Sequence, residues 1–436
     1  MGHSKHSLVE DMKRLANVLF PMARSIAGPA LRDSLKILGK EMNLNLLEFP
    51  SGERVFDWVT PREWEFRAGT VSGADGRVLI DASINNLSVL NYSIPVDKQV
   101  TGRELRDHLF YSETRPNAIP YRTSYYSETW GFCCSKAVYD SIRDDETYQV
   151  HVDTSLFQGF LTVGEAVLQG ETEEEIVFSS YICHPSMGVN ELSGPLTLLA
   201  LYKILSGQER RRFTYRFLIS SETIGAITYL ANNMAARRKN MAGGIAFQMT
   251  GIDGTIIHRD CRETSLLDIA LDAVASAASD SPRPYSRHIW SPIGGGDQRQ
   301  WCAQGVNLPM SFLARNLGGT FPEYHTSDDD LSLLDLEAAY DVAVLVADAC
   351  VSLESALIPE YIGPPCEPRL SKYGLQSSTG GPRASSELDM IKVALGVADG
   401  TLNSLELARR YRFKPIEFHY VLRKAEKAGL LRCRQI

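Results

Sequence analysis

The stretch Glu174–Ser206, EEIVFSSYICHPSMGVNELSGPLTLLALYKILS, carries the reading of the fold. Its first part is a short run of apolar and small residues bounded by charge, the pattern of a strand buried on both faces. The run ends at His184, and a tight polar loop then leads into a second apolar segment at helical spacing. Ser193 is placed to cap that helix, Pro195 suits its first turn, and Gly194 permits close backbone approach. A strand, a loop with a histidine and a helix make the basic unit of an α/β sheet.

The same pattern recurs downstream. FTYRFLISS (213–221) runs into Glu222 and a helix, GGIAFQMTG (243–251) runs toward Asp253, and SLLDIALDAVASAA (265–278) reads as a helix. LPMSFLAR (308–315) is followed by FPEYHTSDDD (321–330), which sets His325 beside Asp328, Asp329 and Asp330. The alternation predicts a parallel or mixed sheet with helices on both faces, in the region 169–370. Ligands of open α/β sheets bind where the carboxyl ends of strands converge, so His184, Glu222 and His325 are the candidates for a common site. Two histidines with a glutamate are the residue types of a zinc site with an adjacent general base. The acidic run either orients the His325 imidazole or caps the helix LSLLDLEAAYDVAVLVADA that follows it.

Upstream, residues 1–49 predict two helices with a break at Gly28-Pro29, and residues 50–168 change to short alternating segments, a β-rich unit. Downstream, SKYGLQSSTGGPRASSE (371–387) reads as a linker, and residues 388–436 predict three helices. Nine Lys or Arg against three Glu between Thr401 and Ile436 give that end a net charge of +6, in a chain of 436 residues whose whole charge is −8. DNA contact through these helices is therefore open, but dimerisation or packing against the larger domain suits a metabolic chain better. The overall acidity argues against a chain built wholly for nucleic acid.

Hydrophobic residues at 44% and charged residues at 22% fit a globular multidomain protein. The start holds no signal-peptide run and no segment reaches about 18 uncharged apolar residues, which predicts a cytoplasmic protein without a membrane partner. Eight scattered cysteines, Cys133 and Cys134 adjacent, read as free thiols.

Four motifs, CHPSMGVNELSG (183–194), SETIGA (221–226), GGDQRQWCAQGVNLP (295–309) and FPEYHTSDDDL (321–331), resemble those of a bacterial family of aminopeptidase-like proteins. That family is a distant relative of the zinc aminopeptidases and glutaminyl cyclases. RVFDWVTPREWEFRAG (54–69) through AIPYRTSYYSETWGFC (118–133) resembles its inserted β domain, and the C-terminal segment resembles its winged helix. The resemblance implies a zinc-aminopeptidase-like fold, with His184 and His325 as metal histidines and Glu222 as the catalytic glutamate.

The chain departs from the family's pattern. Asn190-Glu191 stands where an Asp-Asn pair is expected, so the metal-bridging carboxylate is an amide. Asp297-Gln298-Arg299-Gln300 stands for Asp-Glu-Arg-Gln, and Gln248 falls where dinuclear relatives carry another ligand Asp. A neutral amide oxygen cannot offset the repulsion of two dications. At most one zinc is expected, held by His184 and His325 with Glu191, Glu222 or Asp297 as third ligand and Asn190 as a further metal-site residue. Glu222 and Glu191 are the candidate catalytic carboxylates, and Gln248, Gln298, Arg299 and Tyr324 the candidate pocket residues; Trp290 and Trp301 suit core packing better. The expected activity is hydrolysis of an amide or peptide-like small substrate. A cyclisation or transfer reaction on the same fold, and a non-catalytic binding role, remain as alternatives, and homo-oligomerisation is open.

Overall fold

The computed structural model describes residues 4–277, 284–315, 321–375 and 382–436. Its centre is an eight-stranded sheet: β1 (Asn45–Pro50), β2 (Phe160–Leu168), β3 (Glu175–Tyr181), β4 (Thr214–Ser220), β5 (Met241–Gln248), β6 (Ile256–Arg259), β7 (Tyr285–His288) and β8 (Met310–Arg315). The spatial order is β1-β2-β4-β3-β5-β8-β6-β7. β4, β3, β5 and β8 run parallel, whereas β1 and β2 on one side and β6 on the other join antiparallel.

Every residue of β3 is buried, which explains why it reads as a continuous apolar run rather than an alternation. Phe178, Phe217 and Phe247 point from three strands into one core with the helices α1 (Lys5–Leu19), α2 (Pro29–Met42), α3 (Ser193–Ser206), α4 (Leu266–Ala277) and α5 (Leu336–Glu354). Val177, Leu218 and Met310 point to the opposite core with Ile227, Leu230 and Trp301. The expected mixed sheet with a helical layer on each face is what the chain forms.

A four-stranded sheet of Val78–Asp81, Glu63–Gly73, Thr147–Phe157 and Val96–Thr101 makes a separate layer with its own core around Val71, Phe132 and Val150. The β-rich texture at 50–168 does not all belong to it: β2, at the end of that span, pairs with β1 and β4 in the large sheet. Alternation marks a strand but not the sheet it joins.

At the other end, Leu357–Tyr361 pairs antiparallel with Leu431–Gln435 and encloses the helices Pro382–Val397, Ser404–Tyr411 and Pro415–Lys427. This unit thus begins before the segment read as a linker, and a helix starts within that segment; residues 376–381 of it lie outside the described residues. It docks on the large domain through Leu405, which joins the main core, and through an Arg409–Asp272 ion pair at 3.2 Å. All eight cysteines are free thiols, and among the described residues no helix is long and apolar enough to cross a membrane.

Candidate active site at the strand ends

β3 and β4 end side by side, with Tyr181 opposite Ser220, so His184 and Glu222 leave the sheet at the same edge. The loop between His184 and α3 is pinned at both ends. Gly194 sits so close to the sheet that a Cβ there would meet the Ser180 Oγ at 2.2 Å, so no other residue fits without displacement. Ser193 does not cap α3. Leu192 holds the cap position, and the Ser193 hydroxyl instead donates to Val189 O and accepts from Thr250 N at 3.0 Å.

Nor does the acidic run cap α5, whose first turn is held by Asp335. Asp329 is fully buried and accepts from the backbone N–H groups of Val189 (2.7 Å) and Asn190 (2.9 Å), bolting the His184 loop to the His325 loop. Burial pushes its pKa up to about 6 despite these bonds. Asp328 pairs with Arg115 at 2.6 Å, and Asp330 accepts from Ser332 N. The described hydrogen bonds place none of the three on the His325 ring.

Glu191 takes that orienting part for the other histidine. Its two oxygens accept from His184 N (2.7 Å) and face His184 Nδ1 (2.6 Å), which fixes the ring and leaves Nε2 turned toward Glu222 Oε2, 3.9 Å away. Because both oxygens are engaged, Glu191 stands behind the imidazole rather than beside it in the site. Cys183 also lies close, with its sulfur accepting from Glu222 N at 3.3 Å.

His325 packs against His184 with ring centroids 5.3 Å apart and stacks on Tyr324 at 3.9 Å. Burial and the neighbouring His184 push its pKa down to about 3, which keeps the ring neutral. Burial opposes charge on His184 as well, but Cys183 and Glu191 outweigh it and raise that pKa. Burial likewise raises Glu222, and Asp297 is raised to about 7 by burial and by Glu222.

Asp297 Oδ1 accepts from Thr223 N at 2.7 Å, which brings it next to Glu222. Its Oδ2 is buried without a hydrogen-bond partner among the described residues. So are His325 Nε2, Gln248 Oε1 and both side-chain atoms of Gln298. Buried polar atoms are normally satisfied, so a group of orphans at one sheet edge points to something polar that belongs there. The backbone agrees: Ser186, Thr223, Met249 and His325 all adopt positive φ (44°, 62°, 46° and 58°), a conformation that costs non-glycine residues about 1 kcal/mol or more each and that clusters at functional sites. Asn190 lies within this group but its Oδ1 accepts from Tyr181 OH at 3.3 Å.

A cavity of about 470 Å³ opens over His184, Glu222 and His325. Its other walls are not the residues expected from sequence. Gln248, Gln298, Arg299 and Tyr324 lie outside its lining, which comes instead from Trp58, Tyr121, Arg122, Tyr125 and Tyr126 of the inserted segment. Gln248 ends β5 and Gln298 opens a short helix (Gln298–Trp301), with Gly296 packed onto both, while the cavity's roof arrives from another part of the chain. Tyr121 lies edge-on to both imidazoles, at 4.8 Å and 5.3 Å. Three tyrosines within YRTSYY (121–126) were the available signal. Of the two tryptophans, Trp301 is core and Trp290 lies beneath Arg262 at 5.0 Å.

With the geometry in place, comparison with known proteins identifies the relatives. A family described as "Domain of unknown function (DUF4910)" matches residues 13–356. The chain belongs to this family. A winged helix-turn-helix family matches residues 358–433, which agrees with the strand at 357–361 being part of the C-terminal unit. A Clostridium acetobutylicum protein, provisionally named for polysaccharide biosynthesis with an aminopeptidase-like domain, is 35% identical over 91% of this chain and 90% of its own. A crystal structure from the same organism, provisionally named a peptidase, superposes with a TM-score of 0.88 at 32% identity, covering 98% of this chain and 96% of that one. A zinc aminopeptidase from Bacillus subtilis matches with a TM-score of 0.57 at 12% identity, over 80% and 94%. The DUF4910 chain therefore has an aminopeptidase-like fold with a C-terminal winged helix.

Proposed function

We propose that this protein is a single-metal hydrolase that cleaves an amide or peptide-like bond in a small substrate. The observation that carries the reading is the set of buried, unpartnered polar atoms around this sheet edge, above all His325 Nε2 and Asp297 Oδ2, together with a His184 whose Nε2 faces Glu222. Two imidazole nitrogens and one carboxylate oxygen match the donor preferences of zinc, and the amides at Asn190, Gln248 and Gln298 supply no bridging charge for a second ion. His184, His325 and Asp297 would hold the metal, which when bound supplies polarisation of the amide carbonyl and acidification of a water.

The remaining steps fall to this chain's own groups. Glu222, at the cavity floor 3.9 Å from His184 Nε2, takes the proton of the attacking water on its carboxylate and returns it to the leaving nitrogen. Glu191 keeps the His184 ring in one orientation through Nδ1. Asp329 holds the two histidine loops together, and Tyr121 shields both rings from solvent. The relative's link to polysaccharide biosynthesis favours a biosynthetic intermediate over protein as substrate.

The test is hydrolysis of a panel of aminoacyl and N-acyl amides by the wild-type protein and Glu222→Gln. The variant should keep its fold and lose roughly 10²- to 10⁴-fold in rate. Equal rates in the two proteins would remove Glu222 from the mechanism.

A further inference from the structure

The roof of the cavity contains a cation, Arg122. Arg122 is exposed, lines the same cavity as His184 and Glu222, and rests over the Phe110 ring at 5.8 Å. It has no ion-pair partner among the described residues. Three other arginines of the inserted segment are engaged by contrast: Arg62 with Glu128, Arg67 with Asp153, Arg115 with Asp328 and Glu323. An arginine left unpaired in a concave site is placed for an anion that comes with the ligand.

Its position is not a loose one. The preceding residue, Tyr121, donates its backbone N–H to His325 O at 2.8 Å, and Pro120 bridges to Thr326. On the other side Arg122 O accepts from Asn91 N at 2.9 Å. The backbone that carries the guanidinium is thus tied to the His325 loop and to the inserted unit at once. Next to it, Trp58 and Tyr126 stand with ring centroids 6.0 Å apart, and are 43% and 53% exposed. Tyr126 OH donates to Val59 O at 2.9 Å, which fastens the Trp58 hairpin to the Arg122 segment. Aromatic rings held this way and left open to a cavity are placed to cover a ring or flat apolar group.

We infer that the cavity selects a small ligand bearing a carboxylate beside a ring, with Arg122 holding the carboxylate and Trp58 and Tyr126 covering the ring. A single negative charge fits better than a phosphate dianion, because Glu222 faces the same space. This rests on the reading of the cavity as the substrate's, and makes the inserted unit the part of the chain that sets specificity.

The test uses three probes alike in their ring and different in charge: 4-hydroxyphenylacetate, 4-hydroxyphenylacetamide and tyramine. Calorimetric titration of the full-length protein should find the carboxylate bound on the order of tenfold more tightly than the amide, the scale of a charge-assisted hydrogen bond at a partly exposed site, with tyramine weakest. Arg122→Gln should bring carboxylate and amide level, Arg122→Glu should make tyramine the preferred probe, and Trp58→Ala should weaken all three. A carboxylate preference that survives in Arg122→Gln would overturn the inference by assigning the anion to Arg299 or to a metal, and so would failure of all three probes to bind at millimolar concentration. An Arg122-dependent preference in a protein that hydrolyses no amide would overturn the hydrolase reading alone. Hydrolysis with no dependence on Arg122 would overturn this inference alone.

Discussion

Two buried histidine–carboxylate clusters sit on the large sheet, and only one of them looks like a working site. His258 on β6 is fully buried and lies with Asp260 and Asp268 close enough to hold an ion. Each of its groups is already engaged. His258 Nδ1 faces Tyr285 OH (2.7 Å) and Nε2 faces Asp268 Oδ1 (2.9 Å). Asp268 Oδ2 accepts from Ser265 N and Oγ and from Cys261 Sγ, and Asp260 is gripped by Arg287 at 2.7 Å and 2.8 Å. At the His184 site the orienting bonds are made by Glu191, while His325 Nε2 and Asp297 Oδ2 are left without hydrogen-bond partners among the described residues. Residue type is the same in both. Satisfaction separates a structural network from a site.

The contrast can be broken by exchanging the expected effects. His258→Ala removes the imidazole that faces buried Asp268 Oδ1 and should destabilise the protein by roughly 3–5 kcal/mol, read as a lower urea midpoint, while amide hydrolysis per folded molecule stays near wild type. A large loss of hydrolysis with unchanged stability would place chemistry at His258 instead.

A third buried histidine gives a smaller, pH-dependent effect. His419 joins the winged helix to the large domain, facing Ser355 Oγ (2.8 Å) and Ser404 Oγ (2.7 Å), and burial pushes its pKa down to about 4. The unfolded chain, with an ordinary histidine near 6.5, takes up the proton first. The stabilisation is therefore complete above about pH 6.5 and falls as the pH drops toward 4. Hydrogen-exchange protection in Ser404–Lys427, measured relative to the intrinsic amide rate at each pH, should fall between pH 7.5 and 5, and His419→Gln should flatten that dependence. A slope that persists in the variant would assign it to another group.

The sequence was most legible where function depends on the ends of adjacent strands. Apolar runs leading into His184 and Glu222 are local signals, and the sheet brings them together by a parallel pairing that strand–helix alternation implies. The pocket roof was not legible, because it depends on Pro120 pairing with Thr326 and Tyr121 with His325 across nearly half of the chain. The role of Asp329 is hidden for the same reason. Beside a helix an acidic run looks like a cap, whereas its real partners, Val189 N and Asn190 N, belong to a distant loop. The amide substitutions at Asn190, Gln248 and Gln298 were plain in the sequence, but that Gln248 and Gln298 keep unpartnered atoms could be known only in three dimensions.

Metal content measured on purified protein after saturation with zinc and desalting tests the central claim most directly, comparing wild type with His184→Ala, His325→Ala and His258→Ala. The account predicts about one zinc per chain in the wild type and in His258→Ala and little in the other two. Zinc that is lost with His258 but kept without His184 or His325, or two ions per chain, would contradict it.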